Sequence, residues 1–132
     1  MSLQVTIHNN RPQVTVDNAS QLNDLLYAAS SEARIRNLLG SVVIEADNGN
    51  TMSIVVGGEE TVVSFDFDKD GPYYVSRGAS SEDEPIMTCY LGFQHHTEFA
   101  RKNVIPFTDG LNAVTEFLGS RVLPKCIKWE EA

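Results

Sequence analysis

The residues whose types and spacing come nearest to a chemical site are Asp66-Phe67-Asp68-Lys69-Asp70-Gly71. In a calcium loop, oxygens at positions one, three and five converge, glycine permits the sharp turn, and a bidentate glutamate at position twelve closes the cage. Here position seven is Pro72, position twelve is the cation Arg77, and no helix pair is expected on either side. The same residues also read as a hairpin, with Phe65 and Phe67 facing a core, Asp66 and Asp68 facing water, and Asp70-Gly71 turning the chain. A third reading takes the outward acids as an electrostatic docking edge. His95-His96 is adjacent in sequence, so the two rings diverge, and no third ligand lies at zinc spacing. Cys89 and Cys126 form no CxxC pair and have no neighbouring histidine base. There is no P-loop, no dinucleotide fingerprint, no GxSxG elbow and no deaminase zinc signature. These residues therefore name no catalytic group, no metal and no cofactor.

Charge points to binding instead. Eighteen acidic residues face ten basic ones, for a net charge of −8. Such a chain repels nucleic acid and anionic lipid at long range and attracts a basic protein surface. The acids cluster at Glu59-Glu60, at Asp66, Asp68 and Asp70, and at Glu82-Asp83-Glu84. Each cluster alone also reads as a solvated loop. Tyr73, Tyr74 and Tyr90 lie among them and suit either anchoring or half-buried sheet packing. The expected partner contacts are Asp66, Asp68, Asp70, Glu82, Asp83 and Glu84 for charge, with Tyr73 and Arg77 for specificity.

Something must hold these residues in place. Val5 and Ile7, then Val14 and Val16, alternate with polar residues around Asn9-Asn10-Arg11-Pro12, which predicts a hairpin. Asn18 or Ser20 can cap a helix carrying Leu22, Leu25, Leu26 and Ala29, with Ser30-Ser31 as a break. Ile35, Leu38 and Leu39 form a second helical patch. Strands are expected at 42–46, 51–56, 61–67, 73–77 and 85–93, the first four joined through Asn48-Gly49, Gly57-Gly58 and Asp70-Gly71 as an antiparallel meander. A later helix carries Leu111, Val114, Phe117 and Leu118, capped by Thr108 and ended by Gly119. A short strand, 126–129, brings Trp129 between sheet and helix, with Glu116 as the acceptor for its indole N–H. The expected fold is α+β: residues 1–132 form a single domain, a curved antiparallel sheet of about six to eight strands with two or three helices packed against it. Met1-Ser2-Leu3 is consistent with a vector remnant. No run of about 18 apolar residues and no signal peptide is present, so a reduced, cytoplasmic protein is expected.

The second half carries an ordered set: Gly71-Pro72-Tyr73-Tyr74-Val75-Ser76-Arg77-Gly78, an acidic loop, a strand, Thr97-Glu98-Phe99, Val104-Ile105-Pro106, Glu116-Phe117-Leu118, Pro124 and Ile127-Lys128-Trp129. It resembles the family numbered one among the immunity proteins of bacterial polymorphic toxin systems. Glu116 and Trp129 are the most characteristic part. The resemblance implies a cytosolic protein that binds and neutralises a cognate toxin domain, a nucleic-acid deaminase. A deaminase admits a polyanionic strand to its zinc pocket, so a basic mouth would suit an acidic inhibitor. An orphan ligand-binding or adaptor domain of the same fold is the alternative, and a metal-dependent enzyme the third possibility.

Overall fold

Asn18 sets the start of the first helix. Its side-chain oxygen accepts from the Gln21 amide at 2.9 Å, while the Gln21 side chain accepts from the Asp17 amide at 2.8 Å. Each satisfies an amide that a helix start leaves without a partner. In the computed structural model, which describes residues 2–8, 11–69, 71–91, 93 and 95–132, this helix (α1) runs Ala19–Ile35. The Ser30-Ser31 pair does not break it. Ser30 is buried, and its hydroxyl accepts from the Gly57 amide at 2.9 Å, so the helix continues at no polar cost. Nor do Ile35, Leu38 and Leu39 form a second helix. Asn37 adopts a left-handed conformation (φ 57°), the Leu38 amide bonds back to Ala33 O at 3.0 Å, and the chain turns into a strand at Gly40.

The strands are β1 Leu3–Thr6, β2 Val14–Val16, β3 Gly40–Ala46, β4 Thr51–Val56, β5 Glu60–Thr61, β6 Val63–Asp66, β7 Tyr73–Ser76, β8 Pro85–Leu91, β9 His95–Ala100, β10 Ile105–Pro106 and β11 Trp129–Glu131; helix α2 spans Phe107–Ser120. Nine strands form one sheet: seven run in the order β11-β7-β6-β4-β3-β1-β2, β8 branches from β3 and carries β9, and β5 with β10 makes a separate ribbon. The meander from β3 to β7 is antiparallel as expected. The free edge of β3 is shared. Val43–Ala46 pair with β1, while Gly40 and Ser41 pair in parallel with Tyr90 and Leu91 of β8. The sheet is therefore larger than expected and not purely antiparallel. The span 61–67 is split, because the Thr61 hydroxyl takes over the ladder, accepting from Val55 N at 3.0 Å and donating to Val55 O at 2.8 Å. His95 and His96, expected beyond a strand, open β9.

Both helices pack on one face of the sheet. Leu22, Leu26 and Ala33 of α1 and Val114, Phe117 and Leu118 of α2 bury against Ile44, Met52, Ile54 and Phe65. Burying a side chain such as Phe65 stabilises the fold by about 2–3 kcal/mol. On the other face a smaller cluster joins Val55, Val62 and Val75 to Met87, Cys89 and Val104, so the β8–β9 hairpin covers one end of the outer face. The rest of that face stays open.

Helix α2 begins and ends without the devices expected of it. Pro106 occupies the cap position with no side-chain bond, and the Phe107 amide donates to Glu59 O at 2.9 Å; Thr108 already lies inside the helix. Gly119 is also inside. The left-handed residue is Arg121 (φ 59°), whose carbonyl accepts from the side-chain amides of Asn48 at 3.0 Å and Asn50 at 2.8 Å. Gly49, with φ 87°, makes the β3–β4 turn that presents those two asparagines. The final strand starts at Trp129 rather than 126, because residues 126–128 bend past the end of β7 before pairing begins at Trp129–Ser76.

Candidate partner-binding surface

Strand pairing places one row of side chains on the open outer face. Gln4, Glu45, Thr51, Asp66 and Tyr73 are successive cross-strand partners, so they point the same way. Their chain neighbours Leu3, Val5, Ile44, Met52 and Phe65 are buried on the helical side. Glu45, Asp66 and Tyr73 are exposed. Asp68, just beyond β6, is also exposed, and its amide donates to the Asn50 side chain at 3.0 Å. Asp70 lies outside the described residues.

The second acidic cluster reaches the same face from the other end of β7. Along the loop 80–84, the Lys102 amide donates to Glu82 O at 2.9 Å and the Arg101 amide to Glu84 O at 3.0 Å. Lys102 Nζ sits 2.8 Å from Asp83 and 3.6 Å from Glu130, and Glu130 is the partner of Val75 on the outer face. This pairing holds the Asp83 carboxyl below its ordinary value, chiefly through the hydrogen bond from Lys102, and raises Lys102 in turn. Glu82, Asp83 and Glu84 are exposed. Asp66 and Tyr73 therefore lie toward one end of β7 and the 82–84 loop toward the other, with Glu130 on the outer face linking the loop to the strand through Lys102. Arg77 lies between them but is largely spent on the fold. One guanidinium nitrogen donates to the carbonyls of Gly78, Ser80 and Lys102, and Nε lies 3.8 Å from Glu130. It ties the acidic loop to the end of β7.

A cleft of about 800 Å³ opens beside that loop. Arg77, Arg101, Lys125 and Lys128 line it, with Glu60 and Asp109 as its acids. Gly78 lets the chain at the cleft's edge pass close to the 102–104 segment: its amide bonds Lys102 O at 2.6 Å, and any Cβ there would strike the Val104 carbonyl. Cation clustering of this kind draws on three separate segments and leaves no local sequence signature. Glu45 was more legible, since it is the polar position between Ile44 and Ala46.

Nothing in these groups assembles a nucleophile with its base. Burial pushes the Cys89 thiol up to about 11. Cys126 is exposed in the cleft, and its thiol is raised by partial burial and then by the nearby Glu116 carboxylate. His8 is buried on Glu32 at 2.7 Å. Among the described residues no three His, Cys, Asp or Glu side chains converge as a metal site, and no helix is long and apolar enough to cross a membrane.

Residues 10–131 match the family model described as Immunity protein Imm1. The chain belongs to the Imm1 family. No curated protein matches it closely enough to add a relative. The Imm1 assignment extends the resemblance read from the second half across nearly the whole chain, and it brings Glu116 and Trp129 into focus. The indole N–H of Trp129 donates to Pro124 O at 2.7 Å, not to Glu116 as expected. Glu116 Oε2 instead accepts from the Lys125 amide at 2.6 Å. Trp129 packs edge-on to Phe65, with centroids 6.4 Å apart, which fixes the ring from which the indole reaches out.

Proposed function

We propose that this Imm1 protein neutralises a cognate bacterial toxin domain by binding it in the cytoplasm of the cell that makes it, with no catalytic step of its own. The observation that carries the reading is the strip of exposed acids on the open face of the sheet, Asp66 with Tyr73 at one end and Glu82 to Glu84 at the other, in a family defined by immunity. A toxin that works on nucleic acid needs a basic mouth to admit the strand, and a deaminase is such a toxin. Carboxylates held on a rigid sheet would steer association with that mouth and exclude the polyanionic substrate. The strip is positioned by backbone pairing, so little ordering entropy is lost on binding.

The test is co-expression with the toxin encoded beside the gene. Rescue of growth and a complex that survives sizing chromatography are expected. Continued killing with no complex would overturn the proposal. Persistent rescue by a toxin that lacks deaminase activity would retain immunity and remove the deaminase.

A further inference from the structure

We infer that the cleft at the end of β7 is a second contact of opposite sign, which receives an acidic segment of the partner toxin; this rests on the proposed function above. Four of the ten basic residues of a chain with net charge −8 line this one cleft. Arg77 is engaged by carbonyls and Glu130, but Arg101, Lys125 and Lys128 make no ion pair among the described residues. The cleft wall that carries Lys125 and Lys128 is not a loose loop. Glu116 and Trp129 clamp its Pro124–Lys125 peptide, and the Arg77 amide holds Lys128 O at 2.9 Å. Lys125 and Lys128 on this fixed wall, with Arg101 from a separate turn, surround about 800 Å³ and form a receptor for carboxylates.

The lining chooses among anions. Glu60 and Asp109 stand among the cations, which suits a peptide of spaced carboxylates and opposes a continuous phosphate backbone. The protein's own nearby acidic loop is already docked through Lys102 and Arg77, so it does not fill the cleft. A partner would then meet a negative strip and a positive cleft side by side. Such an arrangement fixes orientation and penalises a toxin with the wrong charge order.

The probe is a fluorescein-labelled oligoglutamate peptide titrated into the purified protein, with a single-stranded oligothymidylate as the competing class. We expect salt-sensitive peptide binding, slower alkylation of Cys126 by a maleimide when peptide is bound, and about tenfold weaker binding in K125E/K128E. The neutral pair K125Q/K128Q, checked for an unchanged thermal melt, covers the case in which charge reversal disturbs folding. Absence of peptide binding, binding unchanged in both variants, or oligothymidylate binding as tightly as the peptide would each overturn the inference. A parallel titration with the cognate toxin domain separates the two readings. Toxin bound equally by wild type and K125E/K128E leaves immunity standing and removes the cleft. Peptide bound in the cleft without any toxin complex removes the immunity role instead.

Discussion

Glu116 and Trp129 share no hydrogen bond, yet they grip the two ends of a single peptide bond. The carbonyl of Pro124 and the amide of Lys125 belong to the same peptide unit; Trp129 donates to the first and Glu116 accepts from the second. One residue comes from α2 and the other from β11, so the clamp fixes the 124–128 segment between helix and sheet. The clamp therefore builds the wall of the cleft.

This clamp predicts a shared consequence. Glu116→Ala removes a charge-assisted acceptor, and Trp129→Phe keeps the ring against Phe65 but loses the donor. Each should lower stability by about 1–2 kcal/mol in urea unfolding. Because both act on one peptide, the double variant should cost less than the sum. Strict additivity would show that the two bonds are energetically separate.

Arg121 pays for its left-handed conformation, roughly 1 kcal/mol for a residue with a Cβ. Its carbonyl is held by Asn48 and Asn50, and its guanidinium lies 2.9 Å from Asp47. Arg121→Gly removes the strain and an ion pair between a partly buried guanidinium and an exposed carboxylate, which solvent screens. A melting temperature raised by a few degrees is expected. Asn50→Ala should lower it, because the amide also leaves Arg121 O and its oxygen leaves the Asp68 amide unpartnered. A lowered melting point in Arg121→Gly would mean that the Asp47 contact outweighs the strain.

Much of the core was legible in the sequence, and the reasons are local. Ile44, Met52, Ile54 and Phe65 alternate with polar neighbours, and Leu22, Leu26 and Ala29 repeat at helical spacing. Asp66 could be named as outward for the same reason, while Tyr73, beside Tyr74, suited either anchoring or half-buried packing. What escaped notice depends on contacts between distant segments. Ser30 reads as a breaker until Gly57 supplies its partner, 27 residues away. The end of α2 reads as Gly119 until Asn48 and Asn50 hold Arg121. The cleft's cations come from residues 77, 101, 125 and 128, and no window contains them all.

Asp83 gives a pH-dependent signature. Its folded pKa lies below the ordinary 3.8, so its contribution is present above that value and is lost as pH falls through the folded pKa. The Asp83–Lys102 pairing should therefore be lost only as pH falls below the ordinary carboxylate range. An NMR titration of the Asp83 side-chain carboxyl carbon should place its midpoint below the ordinary aspartate value. In Lys102→Ala it should rise toward the ordinary value. An Asp83 midpoint unaffected by Lys102→Ala would dissolve the pairing.

The two thiols should separate cleanly. Cys126 is exposed, so it should react with a maleimide in the folded protein, more slowly than free cysteine because its pKa is raised. Glu116→Gln removes a neighbouring negative charge and should speed that reaction. Cys89 is buried with a pKa near 11 and should react only on unfolding. Fast labelling of both thiols in native protein would contradict the burial of Cys89 between the β8–β9 hairpin and the sheet.

The acidic loop sets the rate of association in the proposed complex. Asp83 is already paired with Lys102, so Glu82 and Glu84 are the carboxylates available to steer a basic partner, and E82K/E84K is the sharper variant. Its association rate with the toxin should fall about tenfold at low salt, and the deficit should shrink as salt screens the field. Dissociation should change little, because charges at an exposed rim act mainly on encounter. Tyr73 differs in kind: it is a rigid aromatic group, 42% exposed, beside Asp66 on the flat of the sheet. Tyr73→Ala should therefore raise the dissociation rate and leave the association rate nearly unchanged. Stopped-flow measurement of both rates at two salt concentrations distinguishes steering from anchoring. Equal rates in E82K/E84K and wild type would remove the 82–84 loop from the encounter surface.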